Sequence, residues 1–220
     1  MNSTAPRSST FVTVEYTDGS PLAPDDPRGA MARSVQAARA VVGRLDGDAA
    51  GAPSPCPDWT ALDVANHLVA VLDRTAASAA GVDLATLPIL ADHSVDAVAD
   101  ALGASALAVH AAWSDDAVLG RQITVPWGAF PGAAVIGMYA VEILIHTWDL
   151  AAALGLDVTW PDDDARVGRS VLEMSIPADG RGDDALPFSE VVPTADDAPP
   201  IERLVAWMGR DPEAWRPSST

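Results

Sequence analysis

Residues 133–154 are apolar around almost the whole circumference of a helix, and this constrains the fold more than any other feature of the chain. Taking Met138 as origin and advancing ~100° per residue, Val141, Ile143, Leu144, Ile145 and Trp148 spread around most of the wheel. Protein must therefore enclose this helix on nearly every side. Its acidic and imidazole groups share one narrow stripe, with Glu142 at about 40°, His146 at about 80° and Asp149 at about 20°. An ionised carboxylate in such a setting is costly unless it is paired or holds a metal ion.

The enclosing elements follow from the same periodicity. Over residues 28–45 the apolar positions Met31, Val35, Ala38, Val41, Val42 and Leu45 recur at helical spacing. Pro53, Pro55 and Pro57 block helix formation until Thr60, which caps a second helix reaching about Ala80 and stopped by Gly81. Ser94 is placed to cap a third over residues 95–113, carried by Val95, Val98, Leu102, Ala106 and Val109. A loop with Pro126 and Pro131 leads into the enclosed helix, which ends at Gly155. Residues 161–176, with three aspartates at the positive end of the dipole, and residues 200–208 read as two further helices. Residues 11–16 are the one weak strand candidate, ahead of Asp18-Gly19. The class is all-α: a four-helix bundle over residues 28–155, a C-terminal helical extension over 156–220, and a partly flexible arm over 1–27.

Composition narrows the function. The chain of 220 residues carries 31 acidic against 13 basic residues, a net charge of −18, which argues against nucleic acid and anionic membranes as partners. All 13 cations are arginine, so lysine Schiff-base, P-loop and general-base chemistry are excluded. Cys56 stands alone, ruling out an internal disulfide or a cysteine-rich zinc site; a metal would fall to histidine and carboxylate. The apolar run 133–145 is shorter than the ~20 residues of a bilayer span, and residues 1–10 lack a secretory apolar run. A cytoplasmic protein acting on a small molecule is expected, as monomer or homodimer.

On the second helix Val64, Leu68, Val71 and Leu72 define the buried stripe and His67 lies on its flank. His67 with Glu142 and His146 makes a two-histidine, one-carboxylate set, the ligand type of open zinc and non-haem iron sites. The four-residue spacing of Glu142 and His146 also suits a plain local contact.

Pro55-Cys-Pro-Asp-Trp-Thr followed by Asn66-His-Leu, then Glu142-Ile-Leu-Ile-His-Thr-Trp-Asp-Leu, and finally Gly209-Arg-Asp-Pro-Glu-Ala-Trp resemble the actinobacterial metal-binding relatives of mycothiol-dependent maleylpyruvate isomerase, in the DinB-like superfamily. The resemblance spans roughly residues 30–216. It implies a DinB-like bundle whose divalent metal, usually zinc with nickel or iron(II) as alternatives, is held by His67, Glu142 and His146. It further implies a thiol cofactor, mycothiol, used in isomerisation or transfer on a small electrophile. A thiol-independent hydrolase or cyclase and a non-catalytic metal protein are the other readings.

The related isomerase carries an anion-binding arginine on a separate C-terminal domain, and no residue here maps onto it. With Arg74 and Arg121 the cations of the central half, the expected substrate is neutral or apolar. Trp127 and Arg121 are the candidate cofactor-binding residues, Trp127 with Phe130 as a lid. Asp149 is read as orienting an imidazole, as a fourth ligand, or as a buried acceptor. Cys56 is read as a small buried residue, and His93 and His110 as structural.

Overall fold

The computed structural model describes residues 10–16, 26–182 and 188–216; the Asp18-Gly19 turn and most of the N-terminal arm lie outside them. In chain order the described elements are β1 (Thr10–Val12), α1 (Pro27–Val42), α2 (Ala61–Ala79), α3 (Val95–Ala112), α4 (Ala117–Gly120), β2 (Gln122–Val125), β3 (Gly128–Pro131), α5 (Gly132–Leu154), β4 (Leu156–Val158), α6 (Asp162–Ser175) and α7 (Pro200–Trp207). The chain is mainly helical, as its periodicity requires.

Helix α5 packs against α1 and α2, α2 against α3, and α3 touches α1, closing a four-helix bundle. One side of α5 enters the bundle core through Val135, Ile136, Tyr139, Ile143 and Leu150. The other side, Leu144, Ile145 and Trp148, is covered by Ala165 of α6 and by Ile201, Leu204, Val205 and Met208. Because α5 is apolar all round, the bundle alone cannot bury it, and the C-terminal extension supplies the missing layer. Arg33 of α1 grips Asp164 of α6 through two hydrogen bonds of 2.7 and 2.8 Å, fastening the extension to the bundle.

Local sequence chemistry sets the element ends. Asp26 caps α1 ahead of Pro27. Thr60 opens α2 with a reciprocal capping box, its side chain accepting from the Asp63 amide while the Asp63 carboxylate accepts from the Thr60 amide. Ser94 makes no side-chain cap at α3, contrary to expectation.

Two features depart from the sequence reading. Residues 122–131, expected as loop, form an antiparallel hairpin in which Ile123 and Val125 point inward. The four-residue alternation Gln-Ile-Thr-Val was masked by the surrounding glycines and prolines. The weak strand at Thr10–Val12 finds a partner, lying parallel to Leu156–Val158 just beyond α5. The enclosed helix, Gly132–Leu154, matches its expected span to within one residue. Val95–Ala112 and Gly132–Leu154 are both long and apolar enough to cross a membrane by length and composition, but the second is largely buried within this fold and the first carries Asp96 and Asp100 on its outer face.

Gly132 sits where the hairpin turns into α5, its amide donating to the Arg121 carbonyl at 2.8 Å. A Cβ there would run into the Val118 carbonyl oxygen, which is backbone and cannot swing aside. Alanine gains up to about 1 kcal/mol in helix propensity, whereas such an overlap costs typically about 1–3 kcal/mol. Gly132→Ala should therefore lower the midpoint of urea unfolding, with the slope of the transition unchanged.

Candidate metal centre

The site begins in the turn before α2. The Ser54 hydroxyl, 2.8 Å from the Trp59 carbonyl and 3.2 Å from the Cys56 amide, braces the Pro55–Trp59 turn, and Asp58 takes a left-handed φ of 66° to close it. The capping box then starts α2 in a fixed phase that turns His67 inward. His67 Nδ1 lies 2.7 Å from the Ile89 carbonyl oxygen. A carbonyl only accepts, so Nδ1 carries the proton and the Nε2 lone pair is left free. Asn66 secures that arrangement: its side chain donates to the His93 carbonyl at 3.0 Å and accepts the His93 amide at 2.8 Å, pinning the stretch that carries Ile89.

Helix α5 supplies the rest. Glu142 Oε1 stands 3.7 Å from His67 Nε2, and the His67 and His146 rings meet edge to face at 4.4 Å. Trp59 packs over both imidazoles, at 4.7 and 6.0 Å. His146 Nδ1 lies 3.0 Å from Asp149 Oδ2, so this ring too gives its Nδ1 proton to an acceptor and keeps Nε2 free. Burial pushes the His146 imidazole below its ordinary value, with Asp149 pulling the other way. One donor atom from each of His67, Glu142 and His146 lies within 4.8 Å of the others. One nitrogen of each imidazole and one carboxylate oxygen thus come close enough together to form a donor set that fits a divalent cation.

Asp149 is fully buried and receives four donors. Arg210 binds it in two-pronged fashion, Nε to Oδ1 at 3.0 Å and Nη2 to Oδ2 at 2.8 Å, while His146 Nδ1 and the Cys56 thiol, at 3.1 Å, also reach Oδ2. Burial would raise this carboxyl, but the Arg210 charge and the hydrogen bonds from His146 and Arg210 outweigh it and hold it well below the usual carboxylate range. Cys56, His146 and Asp149 are a second trio with metal-ligand chemistry. In that trio the carboxylate already has its cation in Arg210 and the thiol keeps its proton, whereas among the described residues no arginine forms an ion pair with Glu142 in the trio of His67, Glu142 and His146. A cavity of about 350 Å³ opens beside this cluster, lined among others by Pro55, Cys56, Trp59, His146, Met208 and Arg210.

Residues 31–151, which carry His67, Glu142, His146 and Asp149, match the family described as the mycothiol maleylpyruvate isomerase N-terminal domain. The chain belongs to this family. It is 29% identical over 185 residues, 84% of this chain and 98% of theirs, to two uncharacterized proteins of Mycobacterium tuberculosis, Rv0738 of strain H37Rv and MT0763 of strain CDC 1551 / Oshkosh. A crystal structure of the mycothiol-dependent maleylpyruvate isomerase aligns at 16% identity with a TM-score of 0.45, over 59% of this chain and 61% of that one.

Of the residues singled out from sequence, the fold brings His67, Glu142 and His146 together and sets Asp149 against His146. Trp127 is half-exposed in the hairpin turn, its ring 5.9 Å from that of Tyr139, which precedes Glu142 by about one turn of α5. Arg121 is not brought to the site. Its guanidinium donates to the Ala79 carbonyl, where it satisfies the C-terminal end of α2, about 18 Å along the helix axis from His67. Two members of the cluster were missed. Arg210 lies outside the matched part of the family domain, and its only sequence signal was the Gly209-Arg-Asp motif. Cys56 is buried, as expected, and its thiol is also bonded into the cluster through Asp149.

Burial, and after it the Asp149 charge, push the Cys56 thiol up to about 12 against the opposing Arg210. At pH 8 the folded protein should react with a disulfide reagent such as DTNB at least ~100-fold more slowly than the urea-unfolded chain, in which the thiol returns to about 8.5. Absorbance at 412 nm reports both rates.

Proposed function

We propose that this family member is a metal-dependent enzyme that uses a low-molecular-weight thiol, mycothiol, to isomerise or transfer to a small electrophilic metabolite. The observation that carries this reading is the convergence of two imidazoles, each with its Nδ1 proton committed elsewhere, on one carboxylate. His67, Glu142 and His146 would hold a divalent cation, zinc in the first instance. Such a cation supplies Lewis acidity at an open position and lowers the pKa of a thiol or water there.

The chain's own residues prepare that position. The Ile89 carbonyl and Asp149 each retain a proton on the far nitrogen of an imidazole, so both rings present Nε2. Trp59 covers the two rings and keeps water from their faces. The cavity beside His146 gives room for the organic part of a ligand between the Pro55–Trp59 turn and the Met208–Arg210 turn. Asp149 is not cast as a general base: with four donors on it and its carboxyl held low, it keeps its charge and takes up no proton. Cys56, held as the thiol, is not cast as the nucleophile, which leaves that role to an added thiol.

Protein prepared without chelators should contain about one divalent metal ion per chain by elemental analysis, and His67→Ala, Glu142→Gln and His146→Ala should each lose it while keeping native helicity by circular dichroism. Turnover of an electrophile such as a cis-configured unsaturated carbonyl compound should require both metal and thiol. A metal-free wild-type protein would sink the reading, and metal-dependent turnover in the absence of any thiol would replace it with a hydrolase or cyclase.

A further inference from the structure

Residues 156–182 and 188–216 are more than a covering layer for α5, because one of their side chains, that of Arg210, reaches the site at Asp149. Beyond α7 the chain turns at Gly209, which adopts φ 82°, and a Cβ there would strike Ser189 and the Glu190 carbonyl oxygen. Only glycine allows this close crossing, and the crossing drives the next residue inward. Arg210 then spends its donors on Asp149 and on the Met208 carbonyl, at 3.0 Å, leaving its Nη2 3.6 Å from the Cys56 sulfur. The turn is itself secured: Arg181, nearly buried, donates to the Pro177, Ile176, Ser189 and Trp207 carbonyls and lies over the Trp207 ring.

We propose that Arg210 is a positioning residue for the metal centre, acting through Asp149 to fix the orientation and the Nδ1–H tautomer of His146. The proposal rests on the reading of His67, Glu142 and His146 as metal ligands. Its physical basis is the asymmetry between the two histidines. His67 leans on the neutral Ile89 backbone carbonyl, in a stretch that Asn66 anchors at His93. His146 leans on a fully buried carboxylate, whose orientation is set by the two hydrogen bonds it accepts from Arg210. Arg210 supplies a cation in a planar geometry matching both carboxylate oxygens, and one side chain of the extension thereby governs a ligand on α5. A partner on the outer side of a metal-binding imidazole typically changes affinity by about 10–100-fold.

Zinc affinity, measured by competition with a chromogenic chelator, tests the proposal in the full-length protein. Asp149→Asn and Arg210→Gln should each weaken zinc binding by about 10–100-fold, and the double variant should bind no more weakly than Asp149→Asn alone. Arg210→Lys, which keeps the charge and loses the two-pronged geometry, should fall between wild type and Arg210→Gln. In the metal-free protein, nitrogen-15 shifts should show His146 in the single Nδ1–H form, replaced in Arg210→Gln by a mixture of forms while His67 is unchanged. Wild-type zinc affinity in Arg210→Gln, or losses from the two sites that multiply in the double variant, would overturn the proposal. If Arg210→Gln does not fold, Arg210→Lys and Gly209→Ala are judged by the same two readouts, with unchanged affinity and an unchanged His146 spectrum counting against it. Should wild type bind no zinc, or His67→Ala retain it, the ligand assignment fails, and the His146 spectrum of the metal-free variants alone decides the role of Arg210.

Discussion

The pairing of Asp149 with Arg210 is the interaction on which the rest of this structure depends. A carboxylate with no exposure to solvent is placed in the C-terminal part of α5, the most apolar of the described helices, and its counter-charge comes from a turn 61 residues later. Pairs of this kind add little net stability over an apolar core, since desolvation consumes most of the Coulombic gain. Breaking one is another matter, because a lone buried charge remains. The pair therefore acts as a constraint on arrangement: the bundle and the extension must dock so that these two groups meet. The apolar layer of Leu144, Ile145 and Trp148 against α7 provides the attraction, and the ion pair provides the register.

The two imidazoles show how one chemical outcome is reached by different local means. Both rings end with Nε2 free, one through a carbonyl of the loop beyond α2 and one through a side chain a turn further along α5. The first is built from neighbours in sequence, through the capping box, Asn66 and the pinned residues 89–93. The second draws on three separate parts of the chain, the Pro55–Trp59 turn, α5 and the Gly209–Arg210 turn. The Cys56 thiol and the cavity lie at that second junction, so the more composite half of the centre is also the half that faces open space.

This division explains what could be read from the sequence. Helix phase is a local property, so α1, α2, α3 and α5 were legible within a few residues at each end, and with them the inward aim of His67 and His146; Glu142, expected to be enclosed, instead lies at the rim with 35% of its side chain exposed. The enclosure of α5 followed from its circumference alone, although not the identity of α6 and α7 as its outer cover. Loop-borne groups carry no phase, and nothing at Arg210 or Cys56 announces that they meet across 154 positions at 3.6 Å. Arg121 misled for the opposite reason: as one of few central cations it stood out by rarity, while its guanidinium was committed to a helix end. The hairpin at 122–131 was hidden because its alternation lasts only four residues between turn formers, and the pairing of β1 with β4 depends on a partner more than 140 residues distant.

The hydrogen bond from the Cys56 thiol to Asp149 has a chemical consequence of its own. Electrophiles attack proteins chiefly at thiolates and free amines. This chain has no lysine, and its single cysteine keeps its proton against a carboxylate inside the fold. A protein so made has almost no soft nucleophile to lose to a reactive guest. Were the site to receive electrophiles, as proposed above, they would meet the sulfur of an added thiol with little self-inactivation along the way.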